Sequence, residues 1–262
     1  MLYYKTAGSG KTIVFIHGNS QSTGIWDGFI DEPSLAGYRL VRVDLPGQGQ
    51  SFRSTDPEKD YTLKGMAVHL LDFLQPFDDY IIVTSSLAGN VVAEIITQLK
   101  GCKGLFLTGA SIIGEKVTVA DIVKPNPFFS AVFTAQPTDE ELKGLISNWA
   151  IHINEASKKD YIKLFWATDP AVRTQLGAAI ALADWSDEVA NLEQLEYPVA
   201  VVYGAEEKVV FADHLNKTDI KLWQHSIIEI PEAGHCCQLD QPAQLAGLIS
   251  RYAADIFRSA GS

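Results

Sequence analysis

The stretch "YIIVTSSLAGNVVAEIITQL", residues 80–99, decides how this chain is read. An aromatic and β-branched run, Tyr80 to Val83, ends in Thr84, Ser85 and Ser86, passes two small residues, and continues with apolar residues at helical spacing. That pattern is a strand running into a helix with no residues left for a loop. A serine on so sharp a turn has its hydroxyl thrust out at the edge of the sheet, where a base can reach it. The turn also crowds the backbone, so small residues are needed two positions before and two after the serine. Ser86 puts Thr84 and Ala88 there; Ser85 would put Val83 and Leu87 there, which is sterically worse. Ser86 is therefore the candidate nucleophile, with Thr84 an unusually large neighbour. The plainer reading is that the serine pair only caps the helix.

The flanking sequence repeats the same kind of alternation. "TIVFI" (12–16) and "YRLVRVDL" (38–45) read as strands, 61–77 as a helix capped by Thr62, 87–100 as a helix, and "CKGLFLTG" (102–109) as a strand. Strands alternating with helices predict a mostly parallel, twisted sheet covered by helices on both faces, an α/β fold. From Ser111 to about Glu193 the alternation stops, and helix formers and aromatics take over without a convincing strand. The sheet pattern resumes at 197–204, followed by a short helix near 211–217, a strand at 226–230 and a closing helix from Pro242 to about Phe257. The expected organisation is a core domain of residues 1–110 and 194–262, with 111–193 inserted as a helical layer over the sheet.

Bulk properties exclude several classes. The 262 residues are 47% hydrophobic and 20% charged, with mean hydropathy +0.04, as in an ordinary globular enzyme. Net charge is 21 − 32 = −11, which disfavours nucleic acid or an anionic membrane as partner. The opening lacks the basic region and apolar core of a secretory signal, and no apolar run approaches the ~18 residues of a membrane span, so a cytoplasmic protein is expected. Cys102, Cys236 and Cys237 indicate neither a disulfide framework nor a zinc site; packed, reduced thiols and no metal are expected. "GSGKT" (8–12) imitates the end of a phosphate loop, but Lys5 stands where the earlier glycine is needed and a strand follows rather than a helix. No cofactor is expected.

Three further loops carry residues that Ser86 would need. "FIHGNS" (15–20) ends a strand in backbone N–H groups free to face a developing oxyanion, and the donors named are those of Asn19 and Leu87. His17 reads as structural. In "PEAGHCCQLDQP" (231–242), His235 follows a strand in a glycine-containing loop, the place for a base that takes the serine proton and returns it to the leaving group. Of the other histidines, His69 reads as a surface or packing residue, His152 lies in the insertion, and His214 and His225 are expected to be exposed. The orienting acid is sought after "AVVYG", where Glu207 is preferred and Glu206 stays open; Asp184 and Asp187 read as the end of the insertion. The order Ser…Glu…His fits this logic. Ser20 and the aromatics Phe128, Phe133, Trp149 and Trp166 are candidate pocket residues, suggesting an apolar or ring-bearing substrate.

Together "HGNS", "DLPGQGQS" (44–51), "TSSLAG" and "EAGH" resemble the motifs of the α/β-hydrolase superfamily, over residues 12–110 and 195–257. The usual G-x-S-x-G is here T-S-S-L-A. The resemblance implies the α/β-hydrolase fold and makes the insertion a cap; beside such relatives the opening strand pair is shortened to "LYYKT", so fewer strands are expected at that edge. A closer similarity, in "HGNSQS", "DLPGQG", "GLFLTG" and a catalytic Glu207, is to the branch containing acyl-homoserine-lactone hydrolases; Gln48 replaces the histidine of its "DLPGHG" turn. The expected function is a metal-free serine hydrolase of a small ester, lactone or amide, working through an acyl-enzyme, as a monomer or homodimer. Its rivals are a C–C bond hydrolase or cofactor-free haloperoxidase on the same residues, and a binding or sensor protein that no longer turns over.

Overall fold

A computed structural model of the protein describes residues 1–259. Its sheet is built from β1 (Tyr4–Gly8), β2 (Lys11–Ile16), β3 (Tyr38–Val43), β4 (Tyr80–Ser85), β5 (Cys102–Thr108), β6 (Ala200–Gly204) and β7 (Ile228–Ile230). These seven strands lie in the order β1-β3-β2-β4-β5-β6-β7. All neighbours are parallel except β1, which runs antiparallel to β3. Every residue of β4 is buried, because helices cover both faces of the sheet, and its sequence is correspondingly apolar and β-branched up to Thr84. The short opening thus contributes one antiparallel edge strand. Only Ser9 and Gly10 join β1 to β2, yet the two strands do not pair. Gly8 and Gly10 take φ +69° and +108° to make that crossing, and a Cβ on either would strike the carbonyl of Tyr38 or Gly37. The phosphate-loop lookalike is a tight corner at the sheet edge.

Helices α1 (Pro57–Asp60) and α2 (Leu63–Leu74) precede β4, and the Gly65 N–H donates to Thr62 Oγ1 at 3.0 Å as the N-cap of α2. Helix α3 (Leu87–Ala93) follows β4 and is shorter than the 87–100 expected. The β-branched run Ile95-Ile96-Thr97 leaves helical geometry at Ile95 (φ −124°), and Ile96–Gln98 forms only a 3₁₀ turn. Between β5 and β6 lie α4 (Val119–Ile122), α5 (Asp139–Trp149), α6 (Glu155–Ala167), α7 (Pro170–Ala181) and α8 (Glu188–Glu193). Among the described residues this segment forms no strand, only an isolated bridge from Val123 to Val210. Helices α9 (Cys237–Asp240) and α10 (Pro242–Ser259) close the chain.

Three local expectations are corrected. The helix near 211–217 is a single 3₁₀ turn, His214–Lys217, because Val210 is held in the bridge to Val123 and too few residues remain to nucleate a helix. The strand at 226–230 starts at Ile228, since Gln224 and His225 both take φ +57° and keep the chain turning. His214, expected at the surface, is 4% exposed and donates from Nδ1 to the Phe211 carbonyl at 2.6 Å; burial lowers its pKa. His225 is exposed, and His69 pairs with Asp60 at 3.0 Å.

Candidate active site

Ser86 sits between β4 and α3 with φ 52° and ψ −124°, a conformation that L-residues rarely adopt and that costs of order 1–3 kcal/mol. The surrounding structure imposes it. The Ser86 N–H donates to the Thr108 carbonyl at 2.8 Å, and Thr108 Oγ1 donates to the Thr84 carbonyl at 2.9 Å. Gly18 lets the neighbouring loop pass close by, since a Cβ there would lie 3.2 Å from Ser86 Cβ. Ser85, by contrast, is fully buried and accepts from Gln238 Nε2 at 3.3 Å.

Thr84, the unusual tenant of the turn, is fully buried, and its Oγ1 has no hydrogen-bond partner among the described residues. The position accommodates its bulk but not its polarity. Leaving a buried hydroxyl unpaired costs of order 1–3 kcal/mol. Thr84→Val, which keeps the branched shape and removes that hydroxyl, is expected to raise unfolding stability by about 1 kcal/mol. Urea denaturation checks this, and a loss of stability would show that the hydroxyl is satisfied.

His235 follows β7 and passes beside Gly109 (φ +56°), where a Cβ would lie 3.1 Å from the imidazole. Its Nε2 is 2.9 Å from Ser86 Oγ, and its Nδ1 is 2.8 Å from Glu207 Oε2. A carboxylate only accepts, so Nδ1 carries the proton toward Glu207 and Nε2 is left to accept from the serine hydroxyl. Glu207, in the turn after β6, is 6% exposed; its Oε1 accepts the Val209 N–H at 2.7 Å and the Val210 N–H at 3.4 Å. Burial pushes its pKa up, but the His235 imidazole and these N–H donors outweigh burial and hold the carboxyl below its ordinary value. Glu206 is turned out toward His152, 3.5 Å away. Asp184 pairs with Lys64, and Asp187 caps α8. The His235 loop is tied to the helical segment between β5 and β6 by Asp240, whose carboxylate accepts the N–H groups of Gly234, Ile151 and His152 at 2.8, 3.2 and 2.8 Å.

The loop after β2 is held by His17, which donates from Nδ1 to the Gly18 carbonyl at 2.8 Å and accepts the Leu45 N–H on Nε2 at 3.1 Å. Both ring nitrogens are thus engaged, and burial lowers its pKa. Gly18 N–H donates to Gln21 Oε1 at 2.9 Å, which fixes the turn. Among the described residues no acceptor takes the backbone N–H of Asn19 or of Leu87, and both residues line the same pocket as Ser86 and His235. Burial raises the thiols of Cys236 and Cys237, beside His235, well above their ordinary value, so they pack as neutral groups.

Of the five candidate pocket residues, the structure brings Phe133 and Trp149 to this pocket; the Trp149 ring lies 5.8 Å from that of His235, tilted at 43°. Ser20, Phe128 and Trp166 are not among its walls. Ser20 is fully buried with φ 55° and donates to Asn19 Oδ1 at 3.1 Å. Phe128 packs against Gly144 of α5. Trp166 is 43% exposed and edges onto Phe165 at 5.3 Å, because α6 turns that face to solvent. The walls missed by sequence reading include Asn90, Ser111, Ile113, Ile122, Val209 and Val210. Only Asn90 carried a signal, one helical turn after Ser86.

Behind Asn90 lies a buried acid. Asn90 Nδ2 donates to Glu188 Oε2 at 2.8 Å and to the Ser111 carbonyl at 2.7 Å, and the Ile113 N–H reaches the same Glu188 oxygen at 2.9 Å. Glu188 is fully buried, its Oε1 has no partner among the described residues, and burial drives its pKa well above the ordinary carboxyl value. A carboxyl raised in the folded state contributes stability that is fully present below its unfolded pKa and is lost as pH rises toward the folded one. Glu188→Gln, which keeps the shape without the charge, is expected to be more stable than the parent above neutral pH and similar to it near pH 4. Thermal melts across that range check the sign.

A family model described as "Alpha/beta hydrolase family" matches residues 13–248. The chain belongs to the alpha/beta hydrolase family. Among similar hydrolases of this family, a 2-hydroxy-6-oxo-6-(2'-aminophenyl)hexa-2,4-dienoic acid hydrolase of Metapseudomonas resinovorans is 27% identical, over 98% of this chain and 90% of its own. A pimeloyl-[acyl-carrier protein] methyl ester esterase of Nitrosomonas europaea is 25% identical, over 93% of this chain and 96% of its own. A solved variant of the N-acyl homoserine lactonase AidH, complexed with N-hexanoyl homoserine lactone, superposes with TM-score 0.89 at 23% identity, covering 98% of this chain and 95% of that one. With such relatives the chain is an alpha/beta hydrolase enzyme. Among the described residues no helix is long and apolar enough to cross a membrane.

Proposed function

We propose that the protein is a serine hydrolase of a small carboxylic ester or lactone, with Ser86 as nucleophile, His235 as base and then acid, and Glu207 orienting the imidazole. The observation that carries this reading is the continuous chain from Ser86 Oγ through His235 to Glu207, at 2.9 and 2.8 Å, beside two N–H groups that have no acceptor among the described residues. Ser86 attacks the carbonyl carbon as its proton passes to His235 Nε2; the carbonyl oxygen becomes an oxyanion between the Asn19 and Leu87 N–H groups. Collapse expels the alcohol, which takes the proton from His235. Water, deprotonated by the same imidazole, then attacks the acyl-enzyme and returns Ser86. Glu207 stays ionised and stabilises the imidazolium, both groups being buried.

The 111–193 insertion acts as a cap in this reading: Phe129, Val132, Phe133 and Trp149 put apolar walls on the pocket, which suits an apolar acyl chain. A methyl ester is the bond named for the Nitrosomonas relative, and an ester is the simplest substrate for these residues. The test is turnover of p-nitrophenyl acyl esters and acyl lactones, together with covalent capture of Ser86 by a fluorophosphonate. Absence of both turnover and labelling would overturn the proposal.

A further inference from the structure

The pocket beside Ser86 is walled by apolar side chains apart from two groups of polar atoms. One is the reacting set, Ser86, His235 and Asn19. The other is Asn90 with Ser111, and the hydrolytic mechanism makes no use of it.

The hydrogen bonds of this second group leave one capacity over. Both Asn90 Nδ2 hydrogens are taken, by the Ser111 carbonyl at 2.7 Å and Glu188 Oε2 at 2.8 Å. That carbonyl fixes the amide's orientation, because only an N–H can face it. Asn90 Oδ1 therefore points the other way and accepts the Ser111 hydroxyl at 3.0 Å. Ser111 has a single proton, and it is committed to Asn90. What the half-buried Ser111 Oγ still offers is its lone pairs, on a pocket wall with few other polar atoms. Glu188, buried behind the amide and also holding the Ile113 N–H at 2.9 Å, keeps the arrangement from rotating. A polar network under an apolar pocket is costly unless its members are satisfied, and Ser111 is its half-buried member on the pocket wall.

We infer that Ser111 Oγ, held by Asn90 and Glu188, is a hydrogen-bond acceptor that selects substrates bearing an N–H or O–H donor close to the scissile carbonyl. The inference rests on the serine-hydrolase reading and names its substrate class: an ester or lactone with an amide N–H or a hydroxyl a few bonds from the carbonyl. Ser111 and Asn90 line the same pocket as Ser86 and His235, which places the acceptor in the cavity that holds the scissile carbonyl.

The test uses a matched pair, the methyl ester of an N-acylglycine and the ester of the equally long 4-oxoalkanoic acid, in which CH₂ replaces the N–H. Their ratio of kcat/KM is measured in the parent and in Ser111→Ala, so that differences in intrinsic reactivity cancel. Where turnover is too slow, the ratio of their inhibition constants against fluorophosphonate labelling of Ser86 is read instead. The ratio is expected to favour the N–H ester about fivefold more in the parent than in Ser111→Ala, the size of one neutral hydrogen bond. Ser86 labelled but the ratio equal in both proteins overturns this inference and leaves the hydrolase reading standing. Ser86 unlabelled and both esters inert overturns the hydrolase reading, and this inference falls with it.

Discussion

Ser86→Ala is expected to lower ester turnover by at least about 10⁴-fold, because nucleophile and base act as a unit and loss of either removes most of the rate enhancement. What remains is the contribution of the N–H donors and of binding. The fold is not expected to suffer, and Ser86→Gly separates the two effects. Ser86 is held at φ 52° and ψ −124°, where a Cβ is unfavourable and glycine is not. Ser86→Gly should therefore lose activity like the alanine variant while gaining stability of about 1 kcal/mol. Steady-state kinetics on a p-nitrophenyl ester, with urea denaturation of both variants, reads each half independently. Equal activity in parent and alanine variant would remove Ser86 from the reaction.

Glu207→Gln is expected to reduce kcat by about 10³- to 10⁴-fold with KM little changed. The glutamine oxygen can still accept the Val209 and Val210 N–H groups, which puts its NH₂ toward His235 Nδ1. Two donors then face each other. The imidazole escapes by moving its proton to Nε2, the atom that must receive the serine proton, or by rotating away from Ser86. The same variant tests the electrostatics. Glu207 is held below the ordinary carboxyl value, so it contributes stability that is present above the unfolded pKa and lost as pH falls through the folded one. Removing the charge should flatten the acid side of the stability profile, the opposite sense to Glu188→Gln, whose effect lies on the alkaline side. A Glu207→Gln enzyme with parental kcat would assign the orienting role elsewhere.

Much of this molecule is legible one segment at a time. The strands announce themselves as β-branched runs bounded by glycine or proline, and the helical segment between β5 and β6 by their absence. The misjudged boundaries share a cause: chain features that compete with regular structure over two or three residues. Ile95 ends α3 by its own side-chain stiffness, the Val123–Val210 bridge consumes a helix start, and Gln224 and His225 delay β7 with positive φ. The first of these is written in the local sequence; the bridge depends on a partner 87 residues away, from 210 − 123.

The site divides along the same line. Steric crowding at a strand–helix turn is local, so the preference for Ser86 over Ser85 and the strain at residue 86 follow from the sequence around it. The hydroxyl's surroundings do not. Ser86 and His235 are 149 positions apart, and Glu207 is 28 from His235. Which of two adjacent glutamates faces inward depends on how the turn after β6 packs against Val209, Val210 and the His235 loop. The pocket walls are further still from sequence reasoning. Composition pointed to Ser20, Phe128 and Trp166, which packing sends into the core, against Gly144 and toward solvent. Asn90 of α3, Ser111 of the loop after β5 and Glu188 of α8 meet in one hydrogen-bonded group. By itself the sequence determined the fold, the strained serine turn and the kinds of side chain available to it. Only the tertiary structure decided which of them face the same cavity, because side-chain direction is settled by contacts between segments that the chain keeps far apart.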